Sequence, residues 1–295
     1  MLLPEIHTIE DMMHYGMSLY ETSEVFLGHG TDFSGDEVFA IVMYVLGLPM
    51  NSDDSVLDRI LLEKEKQAIC VLLQRRINER IPVCYLIFEA FFAGLSFYVD
   101  ERVIIPRSPL AECIEQGFSP WIREENVKTI LDMCTGSGCI AIACAYAFPD
   151  AEIDAVDISP EALEVAKINV EKHNKASRVK LILSDLFTEI NDKKYDVIIS
   201  NPPYVSPDEM ATLPAEFLHE PDNALRAEDE GLALVLAIMR SAREALTEHG
   251  VLFLEVGNSK EALVARYPHL PFVWLEFERG GDGVFVIEKS QLDSL

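Results

Sequence analysis

A chain of 295 residues, 49% apolar and 25% charged, has ordinary globular composition and enough length to bury a large core in one or two domains. Fifty acidic against 24 basic side chains leave a net charge of −26. A field of that sign repels phosphate backbones, so direct nucleic-acid binding is not expected; it serves solubility and would equally attract a basic partner. The six cysteines form no Cys-x-x-Cys pair and sit in apolar segments, and no ligand cluster stands out among the seven histidines, so neither a disulfide framework nor a metal site is expected. The start, "MLLPEIHTIEDMMHYG", lacks the basic lead and long apolar core of a signal peptide. No apolar run reaches membrane-spanning length, and the expected compartment is the cytosol.

Residues 1 to about 90 read as helical. Apolar residues recur at helix spacing in "TIEDMMHYGMSLYETSEVFL", "GDEVFAIVMYVLGL" and "DSVLDRILLEKEKQAICVLLQRRINERI", with "GHGTDFSG" and "LPMNSDD" as loops between them. "FFAGLSFYVDERVIIP" predicts two apolar strands about an Asp-Glu-Arg turn, a hairpin over 91–107 that links the halves. "PRSPLAECIEQGF" predicts a helix with Ser108 as cap and Pro109 at its first position.

From about residue 128 strands and helices alternate. "TILDM", "AEIDAVDI", "RVKLIL", "YDVIIS" and "VLFLEV" read as buried strands, and "PFVWLEF" and "GVFVIEK" bring the total to seven. "CIAIACAYAF" and "SPEALEVAKINVEKHN" read as helices, the second with Ser159 as cap and Pro160 behind it. "LALVLAIMRSAREALTEHG" reads as a long helix closed by Gly250. Such alternation implies an α/β fold, an open and mostly parallel sheet with helices on both faces. The Gly-rich link in "FERGGDGVFV" is too short for a helical crossover, so the last pair should be antiparallel.

Two stretches carry the chemistry. "ILDMCTGSGCIAIA" puts Gly136 and Gly138 between a strand and a helix, where backbone approaches a ligand closely and free N–H groups are offered. Asp157, ending the second strand, is placed to accept from ribose hydroxyls. Gly136-x-Gly138-x-x-Ala141 with Asp157 fits a nicotinamide dinucleotide as well as any adenosyl ligand. Asp185, in "SDLF" after the third strand, would accept from an adenine amino group while Leu186 and Phe187 pack its faces.

"NPPY" follows the fourth strand. Two prolines fix two φ angles and hold Asn201 extended, which makes a rigid clamp. The Asn201 amide oxygen, with its own NH₂ anchored locally, and the Pro202 carbonyl could hold the two N–H groups of a planar NH₂. Pro203 would fix the carbonyl's direction and Tyr204 would pack over the planar group. That arrangement suits methylation of a poor nucleophile by the sulfonium methyl of S-adenosyl-L-methionine, because it orients the nitrogen lone pair and supports developing positive charge.

With "YVDERVIIPRSPLAE", "LDMCTGSGCIAIA", "VDIS", "SDLF", "NPPY", "HEP", "EVGNS" and "PFVWLEFERGGDGVF" taken together, the chain resembles the class I S-adenosylmethionine-dependent methyltransferases that modify protein glutamine at its side-chain amide. "PRSPLAE" and "CTGSGC" make it most similar to the branch acting on large-subunit ribosomal protein L3, a basic protein. A sister branch acts on peptide-chain release factors, and amino-methylating DNA enzymes share the clamp but need a basic groove. The resemblance implies a Rossmann-like domain over 108–295 and a substrate-recognising helical domain over 1–90. It implies cofactor contacts from Asp132, Cys134, Thr135, Gly136, Ser137, Gly138, Asp157, Ile158, Asp185, Leu186, Phe187 and Asn201. Asn201, Pro202, Pro203 and Tyr204 would hold the glutamine. In "AEDEGLAL", Glu230 stands where the family usually has Asp, a change that bears on a local helix start.

Overall fold

The computed structural model describes residues 6–190 and 192–294. The chain divides into two compact units, Met1–Glu89 with Pro214–His219, and Ala90–Leu213 with Glu220–Leu295.

The first unit is helical. α1 (Ile9–Glu21) begins with a reciprocal cap between Thr8 and Asp11. α2 (Ser34–Leu46) ends on a left-handed Gly47. α3 (Glu63–Asn78) and the short α4 (Val83–Ile87) follow. Ile9, Met12, Val38, Ile41, Val42, Ile69 and Leu73 supply the buried apolar face. At its centre lies a charged group. Arg76, fully buried, donates to Glu37 at 2.7 Å and to Glu216 at 3.0 Å, and Arg80 donates to Glu216 at 2.7 Å. The Tyr20 hydroxyl donates to Glu37 at 2.8 Å, and the Phe26 N–H donates to Glu216 at 2.9 Å.

The second unit opens with a hairpin, β1 (Ala90–Phe92) and β2 (Leu95–Phe97). Its turn is Ala93–Gly94, not the expected Asp-Glu-Arg. Both turn residues are left-handed, φ 49° and 70°, as a two-residue hairpin turn demands. Asp100 and Arg102 instead form an ion pair at 2.7 Å in the next bend. α5 (Leu110–Glu115) starts one residue later than Ser108-Pro109 suggested, with the Ser108 hydroxyl accepting from the Leu110 N–H.

The sheet then builds through β3 (Thr129–Met133), α6 (Cys139–Ala147), β4 (Glu152–Asp157), α7 (Pro160–Lys172), β5 (Val179–Leu183) and β6 (Tyr195–Ser200). Ser159 caps α7, with Pro160 at its first position. After the one-turn helices α8 (Pro207–Met210) and α9 (Asp222–Leu225) come α10 (Ala233–Ala245), β7 (Leu246–Glu255), α11 (Lys260–Arg266), β8 (Val273–Trp274) and β9 (Val284–Glu288). The strand order is β5-β4-β3-β6-β7-β9-β8, with five parallel strands and β9 antiparallel to both neighbours. This is the Rossmann-like sheet of class I methyltransferases.

Two expected boundaries move. α10 stops at Ala245 rather than Gly250, because Leu246 is buried opposite Tyr195 and the chain enters β7 there. A register shift follows between Tyr195 and Val197, and Gly250 lies where a Cβ would stand 2.8 Å from the Tyr195 carbonyl oxygen. "PFVWLEF" forms only a two-residue edge strand.

Apolar side chains fill both faces of the sheet. One layer includes Ile130, Ile153, Val197 and Phe253 with α6, and the other Leu131, Ile198 and Leu252 with α10. The chain runs outward from β3 to β5 and returns to β6 beside β3, so the strand order reverses between those two. Their carboxyl ends define the crevice where open α/β sheets bind ligands.

Candidate active site

Residues 134–138 carry β3 into α6 through alternate left-handed positions, Cys134 at φ 61°, Gly136 at 53° and Gly138 at 79°. A Cβ on Gly138 would lie 3.3 Å from that of Ala166, so glycine there lets α6 and α7 approach. Asp132 braces this loop from inside the core. Its Oδ2 accepts from the Thr135 hydroxyl at 2.5 Å and the Ala141 N–H at 3.0 Å, while Oδ1 has no hydrogen-bond partner among the described residues. Burial pushes the Asp132 carboxyl up to about 7, and the two hydrogen bonds offset only part of that rise.

Asp157 faces the loop from the end of β4. Its Oδ2 accepts from the Gly136 N–H at 2.8 Å and its Oδ1 from the Ser159 N–H at 2.9 Å. Burial raises its carboxyl above the usual range, and those backbone donors oppose the rise. Burial also pushes the Cys134 thiol up, away from the thiolate form.

A cavity opens where these elements meet. Cys134, Gly136, Asp157 and Ile158 line one side, and Asp185, Leu186, Asn201 and Pro203 the other. Ile158 keeps 60% of its surface exposed. Five of the residues assigned to the cofactor do not line it. Asp132 and Thr135 bond to each other behind the loop, and the Ser137 carbonyl accepts from Asn169 at 2.9 Å. Gly138 serves helix packing, and Phe187 packs against the core layer beneath α10. Sequence reasoning singled out neither Arg102, Val103 and Ile104 nor Asn223 and Ala224, which also line the cavity. Nothing in their segments points to the glycine loop, and only topology brings them there.

Asn201 to Tyr204 leave β6 at the crevice. The Ser200 hydroxyl donates to the Met133 carbonyl at 2.6 Å and ties the ends of β6 and β3 together. Pro202 and Pro203 are buried, and Asn201 and Pro203 face the cavity. The Asn201 NH₂, expected to be anchored locally, meets no acceptor among the described residues, and the whole amide is left free at the cavity wall. Tyr204, next but two along the same turn, lines a second cavity, with Arg107, Glu255, Gly257 and Lys260 among its walls. The Tyr204 hydroxyl donates to Glu255 Oε1 at 2.8 Å, and the Ser108 hydroxyl donates to the other Glu255 oxygen.

The segments that carried the family resemblance converge here. Arg107 of "PRSPLAE" makes a two-pronged pair with Glu220 of "HEP" at 2.6 and 2.7 Å. Ser108 reaches Glu255 of "EVGNS". Glu112 accepts the N–H groups of Glu278 and Arg279 in "FERGGDGVF" at 3.0 and 2.9 Å. Glu230 in "AEDEGLAL" is left-handed and, with Asp229, pairs with Arg266; α10 begins without a side-chain cap.

Residues 118–249 match the family model described as the methyltransferase small domain. A ribosomal protein uL3 glutamine methyltransferase from Francisella tularensis is 44% identical over 99% of this chain and 93% of its own. Its counterpart from Xanthomonas campestris is 45% identical over 98% and 93%. Among solved structures, a methyltransferase from Pyrococcus furiosus is 18% identical, covers 66% of this chain and 89% of its own, and superposes with a TM-score of 0.48. With sequence identity at that level across nearly its full length, the chain belongs to the family of ribosomal protein uL3 glutamine methyltransferases.

Proposed function

We propose that the chain transfers the methyl group of S-adenosyl-L-methionine to the side-chain amide nitrogen of a glutamine in ribosomal protein uL3. One observation carries this reading. Asn201, whose amide has no partner among the described residues, lines the same cavity as Gly136 and Asp157. An amide acceptor therefore stands beside a pocket suited to an adenosyl group.

The residues present fit that cofactor. A carboxylate has about four acceptor positions, and backbone N–H groups occupy two at Asp157, leaving others for ribose hydroxyls. Ile158 and Leu186 offer apolar surface to a planar base, with Asp185 at the rim for its amino group. Cys134 and Gly136 offer backbone along the loop. When bound, the cofactor supplies an electrophilic methyl on a sulfonium.

Asn201 and the Pro202 carbonyl then accept the two N–H groups of the glutamine amide, turn its lone pair toward the methyl and stabilise charge on nitrogen as the new bond forms. No base is needed before attack: the N–C bond would form as the S–C bond breaks and a neutral thioether leaves, and the nitrogen, acidic only once methylated, would then release one proton to water. A nicotinamide dinucleotide would also satisfy Asp157, but hydride transfer gives Asn201 to Tyr204 no task.

The helical unit is the proposed substrate-recognition surface. Residues 1–58 contain eleven carboxylates and no lysine or arginine, a field suited to a basic ribosomal protein. No helix among the described residues is long and apolar enough to cross a membrane, and a cytosolic enzyme would meet this substrate. The test is incubation of the protein with methyl-labelled cofactor and lysate from a strain lacking it. Label on uL3, located by mass spectrometry to a glutamine side chain, is expected. Label on a release factor, or on no protein, overturns the reading.

A further inference from the structure

Tyr204 is held at three points. Its hydroxyl donates to Glu255, its carbonyl accepts from the Ser259 hydroxyl at 3.2 Å, and its ring lies against Gly257. A Cβ on Gly257 would stand 2.4 Å from the ring, so that wall admits only glycine without displacing the tyrosine. Glu255, at the end of β7, is 4% exposed. Its two oxygens are divided between Tyr204 and Ser108. Removing a carboxylate from water and satisfying it with two hydroxyls is costly, and an apolar side chain would fill the same space without that cost. What the side chain adds is direction: one oxygen accepts from the phenol while the other is fixed by Ser108, which holds the tyrosine in one orientation.

We propose that Glu255 is a positioning residue for methyl transfer, setting the Tyr204 ring through the phenol–carboxylate bond so that the aromatic face meets the planar amide held by Asn201 and Pro202. The inference rests on the proposed function of that turn. Ser108 braces Glu255 from the turn before α5, and Arg107 beside it is fixed by Glu220, so the first residues of "RSPLAE" stiffen the clamp from behind. An aromatic ring free to tilt leaves the amide less often in line with the methyl, and misplacement of a reacting group by about 1 Å can cost a hundredfold in rate.

The test compares Glu255→Leu, Glu255→Gln, Tyr204→Phe and the double variant Tyr204→Phe/Glu255→Leu. Each is measured for kcat and KM on uL3 and for S-adenosylhomocysteine affinity by calorimetry. Glu255→Leu is expected to lower kcat by about ten- to hundredfold with cofactor-product affinity nearly unchanged. Glu255→Gln, which keeps an acceptor for the phenol, should recover most of that loss. The double variant should be no slower than the slower single variant, because both remove the same bond. Multiplying effects, or a Glu255→Leu enzyme with wild-type kcat, would overturn the proposal. Should Glu255→Leu fail to fold, Ser108→Ala gives a milder form of the same test, with a smaller kcat loss expected and an unchanged kcat contradicting it. Wild-type protein that does not label uL3 refutes the functional reading alone; the tyrosine's orientation in crystals of wild type and Glu255→Leu, a turned or disordered ring expected and an unchanged ring contradicting it, still decides the role of Glu255.

Discussion

Two carboxylates with no exposed surface are shifted in opposite directions by their surroundings. Asp132, in the sheet unit, and Glu216, in the helical unit, both expose none of their surface. Burial raises both, but at Asp132 only one hydroxyl and one backbone N–H answer it, and the carboxyl rises to about 7. At Glu216 burial is outweighed by hydrogen bonds from Arg80, the Phe26 N–H and Arg76, and the carboxyl falls to about 2. Loss of surface alone therefore says little about a buried acid. The sheet unit uses one as a brace for a ligand loop, largely uncharged below neutral pH. The helical unit uses one as a charged staple, gathering segments 140 residues apart in sequence.

The staple should be the more fragile. Arg76→Met leaves Glu37 and Glu216 buried without their shared cation and should cost about 3–5 kcal/mol, read by denaturant unfolding. A loss below about 1 kcal/mol would mean that the charges contribute nothing net.

The pH dependence of stability separates the two carboxylates. Glu216 has a folded value below its ordinary 4.5, so its contribution is present above that pH and is lost as pH falls toward 2. Glu216→Gln should flatten that acid limb while costing about 1.5–3 kcal/mol at neutral pH, where charged hydrogen bonds to Arg76 and Arg80 are weakened. Asp132 has a folded value above its ordinary 3.8, so its contribution is present below that pH and is lost as pH rises toward 7. Asp132→Asn should flatten the slope between about 4 and 7 and leave the acid limb untouched. If each variant altered the other's limb, the contrast between the two sites would fail. The smallest effect concerns the helical unit's surface: added salt should raise KM for uL3 with little change in kcat, and a flat response would remove the electrostatic argument for that surface.

The same contrast explains what could be read from the chain. Buried parallel strands announce themselves as apolar runs, and "TILDM" and "YDVIIS" bracket the crevice where the sequence puts it. Helix starts with local caps, such as Ser159-Pro160, were equally legible. The end of α10 was not, because Leu246 to Gly250 continue a helical pattern and only pairing with Tyr195 draws them into β7. At the site, Gly136, Asp157, Leu186 and Asn201 line the cavity as their motifs suggest, whereas Asp132 and Thr135 turn toward each other behind it. The staple and the brace behind Tyr204 left no local signal, since Arg76, Glu37, Glu216, Ser108 and Glu255 are ordinary residues until the fold joins them.

Single-turnover methyl transfer by Asn201→Ala, with S-adenosylhomocysteine affinity measured alongside, tests the proposed clamp most directly. The substitution removes one acceptor but leaves Asp157, Gly136 and both prolines in place. Transfer to uL3 should slow by about a hundred- to a thousandfold, equivalent to about 2.7–4 kcal/mol in the barrier, while affinity changes far less. Asn201→Asp, which keeps an acceptor oxygen, should retain more activity than Ala. Ala and Asp variants that both transfer methyl near the wild-type rate would reduce Asn201 to Tyr204 to a rigid turn.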